Sequence, residues 1–133
     1  MKPSSAKAKG RVLQQAVVAA LREHFPSLTS DDIRSTPMGV QGPDVQLSAR
    51  AKELVPYAFE CKNVEKLNVW TAFAQAQAHV GTSGATPVVV CKKNRTHALA
   101  VVPWDHFVTL LGPREACEDD PRALLERALA LLN

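Results

Sequence analysis

Gly42-Pro43-Asp44-Val45 is followed by Phe59-Glu60-Cys61-Lys62, which sets Glu60 sixteen residues after Asp44. The first stretch opens a short apolar run, Pro43 to Leu47, with an acid near its head. The second closes another, Tyr57 to Cys61, with an acid and a lysine one residue apart. Short β-prone runs bounded by Gly and Pro read as strands. Successive side chains on a strand alternate faces, so Glu60 and Lys62 share one face and Cys61 takes the other. If the two runs are neighbouring strands, Asp44 meets them. Two bare carboxylates within a few ångströms repel unless a cation lies between them. Mg²⁺ needs few protein oxygens, because it keeps waters and takes substrate phosphate. Asp44, Glu60 and the backbone carbonyl of Cys61 therefore suffice as a metal set, Mg²⁺ or Mn²⁺, with Lys62 beside the ion.

The pattern around these strands is α/β. Gly10 to Phe25 carries helical periodicity, with Leu13, Val17, Ala20, Leu21 and His24 on one stripe, and Pro26 stops it. Ser27 to Val40 is expected as loop, and Ala49 to Leu54 as a brief helix or connection. Asn68 to Val80 reads as a helix ended by Gly81. Pro87 to Cys91 is an unbroken apolar run of the kind buried on both faces. Ala98 to Val102 follows a polar turn, so the two form a hairpin. Pro103 starts a helix closed by Gly112-Pro113. Asp119 or Asp120 caps a last one, with Leu124, Leu125, Ala128, Leu129 and Leu132 as its apolar face. The expected architecture is a mixed central β-sheet flanked by helices.

A chain of 133 residues predicts one domain, 1–133, with 1–9 a flexible basic tail and 119–133 a C-terminal helix. No apolar run approaches the roughly 20 residues that span a bilayer, so no membrane role is expected. Three widely spaced cysteines, Cys61, Cys91 and Cys117, match neither a zinc spacing nor a disulfide framework, which favours a reducing cytoplasm. Net charge is +3, and its distribution matters more than its size. Lys2, Lys7, Lys9 and Arg11 cluster at the start, and Lys92, Lys93 and Arg95 at a turn. Such groups can contact phosphates, and they can equally be solvated lysines and arginines.

Pro43-Asp44 with Glu60-Cys61-Lys62 resembles the PD-(D/E)XK nuclease superfamily. Lys9-Gly10-Arg11 opening the first helix, Arg34-Ser35 with Gly39 before the Asp strand, and the Gln75 and Gln77 helix followed by Pro87-Val88-Val89-Val90 resemble archaeal-type Holliday junction resolvases. Lys7 to Gln15, Arg34 to Val40 and Phe59 to Leu67 are similar to small resolvase-like endonucleases of tailed bacteriophages. The resemblance implies a restriction-endonuclease-like core and a homodimer that hydrolyses the phosphodiesters of branched DNA, in the cytoplasm of a bacterial host or from a phage. It implies Asp44, Glu60, Lys62 and Ser35 as catalytic residues and Gln75 as a support of the site or the DNA. Gln14 stands where relatives often carry a metal-binding Glu. Lys7, Lys9, Arg11, Arg34, Lys92, Lys93 and Arg95 are the expected DNA contacts.

Duller readings stand beside each residue. Asp44 after Gly-Pro can be a turn residue, Glu60 and Lys62 an exposed strand pair, Ser35 a turn serine, and Gln75 a surface amide. Trp70 and Trp104 read as core or interface anchors. The four histidines show no ligand spacing and read as structural or surface residues. A nuclease that cuts or nicks plain duplex, and a DNA-binding module of the same fold that does not cut, are the competing functions. A Cys61 nucleophile is disfavoured, because no base adjoins it in the pattern.

Overall fold

A computed structural model of the chain describes residues 3–113 and 121–132. They fall into two compact units, Met1–Val102 and Pro103–Asn133. The predicted Asp119 or Asp120 cap and Cys117 lie outside the described residues.

The first unit begins with α1, Pro3–His24. Residues 3–9 are thus helical, against the expected loose tail. Proline is well suited to a first helical turn, and the Ala- and Lys-containing segment behind it propagates the helix. Leu13 and Val18 are buried, and Val17 and Leu21 pack against the core; Ala20 and His24, placed on the same stripe from sequence, are exposed. Arg22 binds the Ile33 carbonyl through Nε at 2.9 Å and Nη2 at 2.5 Å, tying the helix to the next element.

That element is β1, Ile33–Ser35, inside the stretch expected to be loop. Three residues are too few to show alternation, and a single buried side chain, Ile33, anchors them. β1 pairs antiparallel with β2, Val45–Leu47, joining Ser35 to Val45. Asp44 stands one residue ahead of that strand, which begins later than the Pro43 start expected. α2, Ala49–Leu54, is capped by Ser48, whose hydroxyl accepts from the Ala51 N–H at 3.1 Å.

β3, Tyr57–Asn63, β4, Thr86–Lys92, and β5, Leu99–Val101, form the second sheet. β3 and β4 run parallel, with Glu60 opposite Val89, and β4 and β5 are antiparallel. This mixed-orientation sheet flanked by helices is the α/β arrangement expected, and the predicted hairpin is its β4–β5 pair. α3, Val69–Val80, makes the parallel crossover and is capped by the Asn68 side chain.

Alternation along the strands splits the interior in two. Phe59 and Val88 join Val18, Ile33, Val45 and Val55 in the larger core, with Val17 and Leu21 of α1 against it. Val89 joins Ala72 and Ala76 of α3 in the smaller. Full burial along β4 is confined to Val88 and Val89; Val90 and Cys91 keep partial exposure, short of the two-sided burial expected. Trp70 is 85% exposed and so is no core anchor.

In the second unit, α4, Trp104–Leu111, is closed by Gly112 at φ 71°. The Trp104 and Phe107 rings lie 6.1 Å apart, and Trp104 is exposed. α5, Pro121–Leu132, follows. Among the described residues, no helix is long and apolar enough to cross a membrane.

Candidate functional site

β3 pairs with β4 along its whole length, but its other edge meets the β1–β2 sheet at few points. Asp44 makes the junction. Its N–H donates to the Phe59 carbonyl at 2.9 Å, and its Oδ2 accepts the Cys61 N–H at 2.7 Å. A side chain takes the place that a strand backbone would fill. The N–H and C=O of one strand residue leave the same side of the strand. The Cys61 carbonyl therefore faces the edge that Asp44 occupies.

Glu60 is buried at 6% exposure, the one charged side chain so placed among the described residues. Burying a carboxylate costs several kcal/mol unless charge and hydrogen bonds compensate. Here Oε1 lies 3.5 Å from Lys62 Nζ and Oε2 lies 3.1 Å from His79 Nδ1. Lys62 thus shares the face of Glu60, as strand alternation predicts.

Asp44 is half-buried, and its carboxyl is held above the ordinary aspartate range. Desolvation is the main cause, and the negative Glu60 adds to it. The Cys61 N–H, Lys62 and His79 pull the other way. Asp44 therefore shares one electrostatic neighbourhood with Glu60, Lys62 and His79. The Cys61 thiol is pushed up to about 12 by burial, then by Asp44 and Glu60. At neutral pH it is a thiol, not a nucleophile.

His79 is the member that sequence reasoning missed, having been read as structural or surface. It is the last polar residue of a stripe, Ala72, Ala76, His79, whose alanines pack on the sheet. Their spacing of four and three is a helical face, and that was the available signal. Gln75 is exposed on the same helix, one turn ahead of His79.

A cleft of 570 Å³ opens on the α1 side of Asp44. Lys7, Arg11 and Gln14 line it from α1, and Ser35 from β1. The Ser35 hydroxyl donates to Gln14 Oε1 at 2.8 Å, so these two expected site residues meet. The expected DNA contacts divide. Lys7 and Arg11 line this cleft. Lys9 donates to Asn94 Oδ1 at 2.7 Å, which ties α1 to the turn bearing Lys92, Lys93 and Arg95. Arg34 donates to Gln46 Oε1 at 3.1 Å and lines a separate cavity of 680 Å³ with Gln46 and His79.

Among the described residues, no three His, Cys, Asp or Glu side chains gather to hold a metal by themselves. A cation at this edge would rest on two carboxylates, a carbonyl, water and substrate oxygen, a set suited to Mg²⁺. No family model, curated protein or solved structure matches the chain.

Proposed function

We propose that this chain is a metal-dependent DNA endonuclease with a restriction-endonuclease-like core, acting on branched duplexes as a homodimer. The observation that carries this reading is Asp44 itself. It is a half-buried carboxylate seated against the Cys61 N–H, its pKa raised by burial and by Glu60. Ionised, both acids need a positive charge; Lys62 supplies one at Glu60 Oε1, and His79 Nδ1 lies within hydrogen-bond distance of Oε2.

The donor set fits Mg²⁺ or Mn²⁺. A carboxylate offers about four acceptor positions. Glu60 uses one on Lys62 and one on His79, and Asp44 uses one on Cys61. Positions for a cation remain on hard oxygens, which such ions prefer. Asp44, Glu60 and the Cys61 carbonyl would hold it, and it would supply Lewis acidity at the phosphate.

The chain's own residues supply the rest. Lys62, partly exposed beside Glu60, places an ammonium where it can orient the attacking water or steady charge growing on phosphate oxygens. The water oxygen bonds to phosphorus and loses a proton to solvent, the bond to the 3′ oxygen breaks, that oxygen takes up a proton from solvent, and the products are a 5′-phosphate and a 3′-hydroxyl. Lys7 and Arg11 are one helical turn apart and line the approach. They give sequence-independent phosphate contacts. Ser35, oriented by Gln14, offers a hydroxyl at the same cleft.

The test is cleavage of a synthetic four-way junction, a nicked duplex and a linear duplex, with and without Mg²⁺. Cutting that needs Mg²⁺ and is lost in Asp44→Ala and Lys62→Ala is the expected outcome. Undiminished cutting by those variants rejects the site. A second reading, a DNA-binding module that does not cut, is favoured by one observation: Gln14 is a neutral amide committed to Ser35. That reading predicts DNA binding with no Mg²⁺-dependent product.

A further inference from the structure

Building on the nuclease reading above, we propose that the Pro37–Val40 turn is a wedge, with Met38 as the side chain that enters a broken base stack. It would make the cleft select DNA already unstacked at a branch, bulge or mismatch.

The turn is a built arm. It tops the loop between β1 and β2, whose base is fastened twice. The Thr36 N–H donates to the Asp44 carbonyl at 2.9 Å, and the Thr36 hydroxyl donates to the Pro43 carbonyl at 2.5 Å. Its tip is closed by the Val40 N–H on the Pro37 carbonyl at 3.2 Å. Gly39 has φ 83°, the value that the third position of a type II turn requires. A side chain there would be strained, whereas Met38 at the preceding corner is exposed, with its sulfur against Arg11 Nη1.

What the arm displays is apolar. Met38 is 62% exposed and Val40 49%, and both line the cleft that contains Lys7, Arg11, Ser35 and Asp44. Single exposed apolar residues are ordinary. Two of them on a fastened tip, in one cleft with cations and an acid, suit a partner with an anionic side and an apolar side. A nucleotide is such a partner. Arg11 Nη1 lies 3.6 Å from Met38 Sδ, so a phosphate held by Arg11 sets its base beside the tip. Prising apart an intact step costs a few kcal/mol, and apolar side chains used this way kink the duplex. Where the stack is already open that cost vanishes, and a flexible thioether can fill the irregular gap. The same tip hangs from Asp44 through Thr36, so insertion fixes which phosphate reaches the acids.

The test is equilibrium binding by the full chain in EDTA, which prevents cutting. The probes are a four-way junction, a duplex with a one-base bulge and an intact duplex, with 2-aminopurine at the open step. Wild type should favour the two interrupted DNAs and raise the 2-aminopurine signal. Met38→Ala, and the double variant with Val40→Ser, should lose about tenfold of that preference, the scale of burying one methionine. Affinity for intact duplex should hold. Both positions are exposed, and an unchanged thermal midpoint verifies the fold. Arg11→Ala should weaken all three DNAs alike. Wild-type binding with an unaltered preference and signal in both variants overturns the wedge and leaves the nuclease reading intact. A loss equal on all three DNAs also overturns it, making Met38 a general contact. Wild type that neither binds DNA nor cuts it with Mg²⁺ overturns both.

Discussion

The two lateral edges of β3 differ in kind. Toward β4 lies a parallel ladder running from Tyr57 opposite Thr86 to Asn63 opposite Lys92. Toward β2 the backbone contact is the Asp44 N–H on Phe59, with the Asp44 carboxylate completing it at Cys61. The ladder edge is satisfied by backbone and gives rigidity. The other edge is left to side chains, and there polar groups collect that a continuous sheet would exclude. A site of this type needs both: a fixed strand to aim Glu60 and Lys62, and an open margin where an acid from another sheet can approach.

The sharpest way to separate the two roles is to change one β3 residue packed in the core and, separately, the acid that closes the open edge of β3. Phe59→Ala, in the larger core, should cost about 3–5 kcal/mol in urea unfolding. The fraction still folded should keep its Mn²⁺ affinity. A loss of metal binding without loss of stability would break the division of labour. At the open edge, Asp44→Asn retains an acceptor for the Cys61 N–H and removes the charge. Junction cleavage should fall by about 10²–10³-fold while the circular dichroism spectrum stays constant, the scale of losing one electrostatic group from a preorganised site.

The sequence made some of this visible. Glu60 and Lys62 could be placed on one face because strand alternation is strict; Asp44 was expected on an adjacent strand of the same sheet, and instead reaches Cys61 from the residue ahead of β2, in the other sheet. The β4–β5 hairpin and the end of α3 at Gly81 were legible for equally local reasons. β1 was not, since three residues with one buried isoleucine carry no periodic signal. The helical start at Pro3 was hidden by a lysine-rich composition that also suits a tail. His79 was missed because its partner, Glu60, is nineteen residues away, and only the docking of α3 on the sheet brings them within 3.1 Å.

His79 gives the next test. Groups that hold a metal-binding carboxylate typically change metal affinity 10–100-fold when removed. His79→Ala should therefore raise the Mn²⁺ concentration needed for half of the thermal shift by about tenfold. His79→Asn, with an amide donor, should recover part of the loss. Equal effects from both variants would reduce His79 to packing.

The smallest effect is in pH dependence. The Asp44 pKa is raised in the folded protein, so its contribution to stability is full below the ordinary value of 3.8 and is lost as pH rises through the folded value. In metal-free buffer, Asp44→Asn should then raise the thermal midpoint slightly at pH 7, and that gain should disappear below pH 3.8. A variant less stable than wild type at neutral pH without metal would contradict the unfavourable burial of this charge.

The most direct measurement is calorimetric titration of Mn²⁺ into the wild-type chain and into Asp44→Asn, without DNA. Heat of binding saturating at one site in wild type, and absent or at least tenfold weaker in the variant, is expected if Asp44 and Glu60 share a cation. Identical isotherms for the two proteins, or no binding by wild type at millimolar Mn²⁺, would show that the acids at this edge do not work together.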